Sequence, residues 1–108
     1  MTTMKSIDAK TLKAWLDKKE AVLVDVRELD EHEKMYIPGA TLIPLGTIQK
    51  EMLLDYGTKK LVIHCQKGMR GCTACEKLLL DDPSLEVYNL EGGISAWEAA
   101  GYETASKK

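Results

Sequence analysis

Residues 61–80 read LVIHCQKGMRGCTACEKLLL, and this stretch decides the fold class. The first five residues are mostly apolar and predict a buried strand, and residues 70–80 predict a helix that ends before Pro83. A polar loop that contains one glycine, Gly68, joins the two elements. A strand that runs directly into a helix is half of the strand–helix–strand unit from which parallel sheets are built.

The rest of the chain repeats this alternation of short apolar runs and helical patterns. The apolar runs predict four further strands, at Met4 to Ile7, Ala21 to Val26, Ala40 to Pro44 and Glu86 to Leu90. Apolar residues at helical spacing predict helices at Ala9 to Lys19, at Leu45 to Leu54, and from the Gly92-Gly93 pair to Gly101. We therefore predict an α/β fold, with a five-stranded parallel sheet flanked by helices on both faces.

The length and composition suit one compact domain. With 108 residues, of which 44% are hydrophobic, the chain can bury a single core. We expect one domain over residues 1–108, with a core at about 5–102 and a polar, frayed tail at 103–108. The net charge is −2 and the two signs alternate along the chain, which argues against a dedicated nucleic-acid binder.

The sequence favours a cytoplasmic protein that contacts no membrane. Its apolar runs are far shorter than the roughly 20 residues needed to cross a bilayer. The N-terminus, MTTMKSIDAKTL, lacks the apolar segment of a secretory signal. The cytoplasm keeps thiols reduced, so we expect the three cysteines to be free thiols and not a disulfide framework.

The loop after the central strand has the features of a reactive thiol site. Cys65 lies at the carboxyl end of its strand, the edge at which parallel sheets bind ligands. Backbone N–H groups at the start of the next helix, together with Lys67 and Arg70, would stabilise a thiolate. Gly68 allows the loop to approach the sulfur closely, and the guanidinium of Arg70 suits an oxyanion such as thiosulfate. The alternative is a buried strand-end cysteine beside an unrelated polar turn.

Four motifs in this chain resemble those of the rhodanese-like sulfurtransferases. The Cys-x-x-Gly-x-Arg loop of that family is matched by Cys65, Gln66, Lys67, Gly68, Met69 and Arg70. The motifs DVRE at 25–28, IPGA at 37–40, and LEGG at 90–93 with Trp97 are also similar, and all occur in the family's order. The resemblance spans about residues 7–102. Many relatives have Gly-His before IPGA, whereas this chain has Met35-Tyr36, which changes the predicted edge of the pocket.

The resemblance implies a sulfurtransferase that works through a persulfide. Cys65 would be catalytic and would take sulfane sulfur from a small donor such as thiosulfate or a persulfide. The loop residues Gln66 to Arg70 would bind the donor, and cyanide, a thiol or a protein would accept the sulfur. The resemblance implies no cofactor and no metal.

Two other functions remain open at this stage. One is a sulfur carrier or sensor module that depends on a partner protein. The other is a phosphatase or arsenate reductase of related fold, although those enzymes have five residues between cysteine and arginine. This chain has four residues between Cys65 and Arg70, and the tighter loop suits a single sulfur atom.

Several residues near the loop are candidates for the pocket or its support, namely Asp25, Arg27, Gly92 and Gly93. We expect Arg27 to pair with Glu28, Glu31 or Glu33, and Asp25 to accept hydrogen bonds from loop N–H groups.

Three further residues lie next to the site in sequence. Strand alternation predicts that His64 faces away from Cys65 and has a structural role. We expect Cys75 to pack in the core. Cys72, nearer the start of the helix, could attack a Cys65 persulfide and form a disulfide. The spacing of these residues resembles no common zinc site.

Overall fold

Strands and helices alternate along the computed structural model, which describes residues 5–48 and 60–107. The strands are β1 (Lys5–Ile7), β2 (Ala21–Asp25), β3 (Thr41–Leu42), β4 (Lys60–His64) and β5 (Val87–Leu90). The helices are α1 (Ala9–Asp17), α2 (Leu29–Lys34), α3 (Met69–Asp81) and α4 (Gly93–Ala99). Within these ranges no helix is both long enough and apolar enough to cross a membrane.

The five strands form one sheet in the order β1-β5-β4-β2-β3, and every pair in it is parallel. This confirms the predicted sheet. β2 and β4 are neighbours in register, so that Asp25 lies beside His64, and the Val26 N–H donates to the His64 carbonyl (3.0 Å). The segment that follows β2 therefore lies beside the segment that begins at Cys65 after β4.

Helices cover both faces of the sheet, as predicted. On one face, α3 packs Ala74, Cys75, Leu78 and Leu79 against Leu61, Ile63, Val24 and Val87. On the other face, α1 and α4 pack Leu12, Ile94 and Trp97 against Leu23, Val62 and Leu90. Because β2 and β4 are covered on both sides, the residues before Asp25 in β2 and between Lys60 and His64 in β4 are all apolar, as in buried parallel strands.

Two predicted elements around β3 differ from the structure. β3 covers only Thr41–Leu42, because Pro44 has no N–H to pair and the Ala40 N–H closes a turn onto the Ile37 carbonyl (3.0 Å). Residues 45–47, where a helix was predicted to start at Leu45, form a turn. The remainder of that prediction, from residue 49 to 54, lies outside the described residues.

The short helix α2 was not predicted. Its six residues give too few turns for an apolar repeat, and its sequence, LDEHEK, is mostly charged. Its start has a local signal, since the Glu31 carboxylate accepts the Glu28 N–H (2.9 Å), as the acidic residue of a capping box does. The helix lies beside the end of β2, and its His32 is buried.

The prediction of a frayed C-terminal tail was wrong for residues 103–107. Ala105 and Tyr36 exchange two backbone hydrogen bonds (2.9 and 2.8 Å), and the Lys107 N–H donates to the Glu33 carbonyl (2.8 Å). The Trp97 indole N–H also donates to the Glu103 carbonyl (2.7 Å). These backbone partners hold the polar segment against α2 and α4 although it has few apolar side chains to bury.

Cys75 is a core residue, and its role is testable by substitution. The side chain is fully buried, and that burial raises the pKa of the Cys75 thiol to about 12, so the thiol stays protonated at neutral pH. We expect Cys75→Ser to lower the free energy of unfolding by about 1–3 kcal/mol, because it buries a hydroxyl in an apolar cluster. Urea denaturation measures this change.

Cys72→Ser is the matched control for that experiment. Cys72 is half-buried on the same helix, and its sulfur accepts a hydrogen bond from Asn89 Nδ2 (3.2 Å), which a hydroxyl can also accept. We expect its effect to stay within about 0.5 kcal/mol. Equal losses for the two serine variants would contradict the assignment of Cys75 to the core.

Candidate active site

Cys65 follows β4 directly, and the loop after it curls back onto the sulfur. The side chain is buried, with 1% of its surface exposed, and the Gly68 N–H donates to its Sγ at 3.0 Å. Gly68 has a φ of +111° and is the residue before the first turn of α3. This φ favours glycine, so the sequence pattern and the loop shape agree on why a glycine stands there.

The start of α4 holds the other side of the loop. The Ile94 N–H donates to the Cys65 carbonyl (2.9 Å), and the Ser95 N–H donates to the Gln66 carbonyl (3.1 Å). Gly93, with a φ of +57°, lies so close that a Cβ there would collide with the carbonyl of Cys65 and would lie 2.6 Å from that of Gln66. The structure thus places Gly93 against the loop backbone, where it supports the loop by close packing.

The side chain of Asn89 supports the loop through hydrogen bonds. This residue was not predicted from the sequence. It is buried on β5, and its Nδ2 donates to the Gly68 carbonyl and to the Cys72 sulfur (both 3.2 Å). A Cβ at Gly71 would collide with the Asn89 Oδ1, so any larger residue at this position of α3 would require the Asn89 side chain to move. The available signal was a polar residue in the otherwise apolar end of a predicted strand.

Asp25 and Arg27 form a buried ion pair at the end of β2. Asp25 accepts hydrogen bonds from the Arg27 backbone N–H (2.9 Å), Nε (3.0 Å) and NH2 (2.8 Å). The predicted acidic partners of Arg27 were therefore wrong, since it pairs with Asp25 and not with Glu28, Glu31 or Glu33. The predicted hydrogen bond from a loop N–H to Asp25 is confirmed by the backbone N–H of Arg27, which lies in the loop after β2. Both side chains are buried, where a carboxylate has no water, so the nearest cation has to compensate its charge.

The pKa of Asp25 reflects this environment. Burial alone would raise the pKa, but hydrogen bonds from Arg27 and from His32 Nδ1 (2.8 Å) hold it below its ordinary value. Asp25 therefore remains a carboxylate at neutral pH. His32, which is buried and stacked on Tyr36, was not singled out in the sequence because α2 was not predicted.

Arg27 also connects the ion pair to the loop and to α2. Its NH1 donates to Gln66 Oε1 (3.3 Å), and its NH2 donates to the carbonyl of Met35 (2.6 Å). Gln66 Nε2 in turn donates to Ser95 Oγ (3.0 Å). Both ends of the Gln66 side chain are held by the protein, and its role in binding a donor stays a prediction.

His64 is buried beside Cys65 in sequence but does not bond its thiol. Its Nδ1 lies 3.3 Å from the Cys65 carbonyl oxygen, and its Nε2 lies 3.9 Å from an Asp25 oxygen. Burial lowers the pKa of His64 to about 4, so the ring is neutral at physiological pH. These contacts support the structural role expected for His64.

Arg70 is held by Glu31, which was predicted as a possible partner of Arg27. Its NH1 and NH2 each donate to one carboxylate oxygen of Glu31 (both 2.8 Å), and this bonding lowers the pKa of Glu31 to about 2. The guanidinium fork that was expected to bind an oxyanion is therefore occupied. The other exposed loop side chains are Lys67 and Met69, and Lys67 forms no ion pair or hydrogen bond with residues 5–48 or 60–107.

Because Gly93 packs against the loop backbone, we expect Gly93→Ala to lower the free energy of unfolding strongly. Gly101→Ala is the control, because Gly101 also has a positive φ (+84°) but has open space around the added Cβ. We expect Gly101→Ala to cost about 1–2 kcal/mol of unfolding free energy for the backbone conformation alone. Gly93→Ala should cost about 1–3 kcal/mol more, because the methyl group overpacks the loop. Equal losses in urea denaturation would refute the close approach.

The chain matches known proteins over nearly its whole length. Residues 8–100 match the family model described as "Rhodanese-like domain". Over 96 residues the chain is 35% identical to the Bacillus subtilis (strain 168) protein named "Putative sulfurtransferase YtwF", covering 88% of this chain and 91% of that protein. Over 92 residues it is 30% identical to thiosulfate sulfurtransferase GlpE of Pseudoalteromonas translucida (strain TAC 125), covering 85% and 87%.

A solved structure agrees with these relatives. A rhodanese-like domain protein from Staphylococcus aureus superposes with a TM-score of 0.76 and 35% sequence identity, covering 97% of this chain and 100% of that chain. The relatives support a general sulfurtransferase activity. The family match, the identity and the shared fold lead to one conclusion: the chain belongs to the rhodanese-like domain family.

Proposed function

We propose that this protein moves sulfane sulfur from thiosulfate or a persulfide donor to a thiophilic acceptor through a persulfide on Cys65. The acceptor would be cyanide, a thiol or a protein. The observation that carries the proposal is the Gly68 N–H pointing at the Cys65 sulfur from 3.0 Å, within a loop bonded on two sides. A backbone donor so placed stabilises the Cys65 thiolate, both as it attacks the donor and as it leaves when the acceptor takes the outer sulfur.

The reaction consists of two displacements at sulfur. The Cys65 thiolate attacks the outer sulfur of thiosulfate, the sulfur–sulfur bond breaks, and sulfite leaves with the bonding electron pair. The acceptor then attacks the outer sulfur of the Cys65 persulfide, and the thiolate is the leaving group. Neither step requires a neighbouring base, which agrees with a neutral His64 bonded to a backbone carbonyl. Ping-pong kinetics should result.

The size of the loop supports sulfur as the transferred group. Four residues separate Cys65 from Arg70, and the fork of Arg70 is bound by Glu31 instead of facing an empty anion site. A phosphatase or arsenate reductase needs donors around a whole tetrahedral anion. The free cysteines among the described residues suit a reducing compartment, and we infer the cytoplasm.

Intact mass after incubation with thiosulfate tests the proposal. We expect the reduced protein to gain one sulfur, about 32 Da, and to lose it on addition of cyanide. Cys65→Ser should show no gain, because it removes the nucleophile. Cys72→Ser is the matched control and should retain most of the loading, since its sulfur contacts Asn89 and lies one turn into α3.

The alternative functions predict different results with other donors and substrates. If neither thiosulfate nor a small-molecule persulfide loads the wild type, but a protein persulfide does, the partner-dependent carrier is the better description. Hydrolysis of an aryl phosphate that depends on Cys65 would support the phosphatase instead. Loading that survives in Cys65→Ser would overturn the mechanism.

A further inference from the structure

We propose that Glu31 determines which sulfur donor the site prefers. By occupying the guanidinium of Arg70, it disfavours the dianion thiosulfate and leaves the loop better suited to an organic persulfide, R–S–SH. The inference rests on the proposed function, because it concerns the donor of the same Cys65 reaction. Glu31 acts through Arg70, so it is a positioning residue and not a catalytic one.

The first observation is that Glu31 binds both terminal nitrogens of the Arg70 guanidinium. Two parallel hydrogen bonds of 2.8 Å join the guanidinium to the carboxylate, which is the strongest geometry for such a pair. The Glu31 carboxylate also accepts the Glu28 N–H (2.9 Å), which fixes it in the first turn of α2. The pair is about two-thirds buried, with 37% of the Arg70 side chain and 31% of the Glu31 side chain exposed.

The second observation is the charge that remains for a donor. The hydrogen bonds that Arg70 donates to Glu31 are the largest cause of the raised pKa of Arg70, and Cys65 also raises this pKa electrostatically. Its pairing with Glu31 makes the two residues neutral together. Lys67 is then the exposed cation of the loop. Its flexible ammonium group cannot form the two parallel hydrogen bonds to the oxygens of thiosulfate that a planar guanidinium can form.

The third observation is an exposed apolar side chain within the loop itself. Met69 lies between Gly68 and Arg70, and 83% of its surface is exposed. This side chain donates no hydrogen bond to the oxygens of thiosulfate. It can contact the organic group of a persulfide.

The donor step balances without any added oxidant or reductant. The Cys65 thiolate attacks the outer sulfur of R–S–SH, forming one sulfur–sulfur bond as the sulfur–sulfur bond of the donor breaks. The organic thiolate R–S⁻ leaves with the electron pair, and the transferred sulfur keeps its proton until the persulfide of Cys65 ionises.

Glu31→Gln tests the inference by releasing Arg70 from its counter-charge. The kcat/KM for loading is measured with thiosulfate and with glutathione persulfide, and the ratio of the two values is compared between variants. We expect the thiosulfate-to-persulfide ratio to rise about tenfold in Glu31→Gln, mainly through a lower KM for thiosulfate. A purely structural role would instead change loading from both donors by the same factor.

Two controls show whether the effect passes through Arg70. Asp30→Asn removes the same charge from an exposed position of α2, and its ratio should not change. In an Arg70→Gln background, adding Glu31→Gln should leave the ratio unchanged. Circular dichroism checks folding, and if Glu31→Gln does not fold, Glu31→Asp, which shortens the carboxylate by one methylene, should shift the ratio in the same direction.

The outcomes separate this inference from the proposed function. A ratio that changes less than twofold or falls in Glu31→Gln, that rises equally in Asp30→Asn, or that rises without Arg70 would overturn the role of Glu31 while leaving the persulfide chemistry intact. Wild-type protein that loads from neither donor would overturn the proposed function, and this inference with it.

Discussion

The buried carboxylate of Asp25 is the constraint on which the carboxyl edge of the sheet depends. It has no access to solvent, so its charge has to be met by donors from the protein. Arg27 provides most of them from two residues away, and His32 provides another from α2. Removing one partner of such a pair leaves an uncompensated buried charge, typically at a cost of about 3–5 kcal/mol.

This ion pair also sets the positions of the two segments that form the site. Through Gln66, Arg27 reaches the loop after Cys65, and through the Met35 carbonyl it reaches the end of α2. The placement of α2 then brings Glu31 to Arg70 at the far side of the loop. The loop is thus held by contacts from the segment after β2, from α2, from β5 and from α4.

The sequence predicted the sheet well because its signal is local. A buried parallel strand is a run of apolar residues, and such a run identifies β2 or β4 wherever its partners lie. The loop around Cys65 was also predictable, since Gly68 has a backbone conformation that favours glycine. The short helix α2 was not predictable in this way, because six mostly charged residues give no apolar repeat.

The partners of the charged residues were the least predictable part of the site. Sequence distance favoured Glu28, Glu31 or Glu33 for Arg27, yet Glu31 pairs with Arg70, which is 39 residues away. The difference arises from burial: Arg27 lies inside, where it meets the buried Asp25, and Glu31 lies at the half-exposed mouth of the loop. Choices of this kind follow from three-dimensional packing and leave no pattern in the chain.

One consequence concerns how far a loop motif can specify function. In the proposed mechanism the residues from Cys65 to Arg70 would provide the nucleophile, the backbone donor and two cations. The partner of one of these cations lies outside the motif, since Arg70 is bound by a carboxylate on α2. Two chains with the same loop can therefore share a persulfide mechanism and still differ in the donor they accept, according to what faces the arginine.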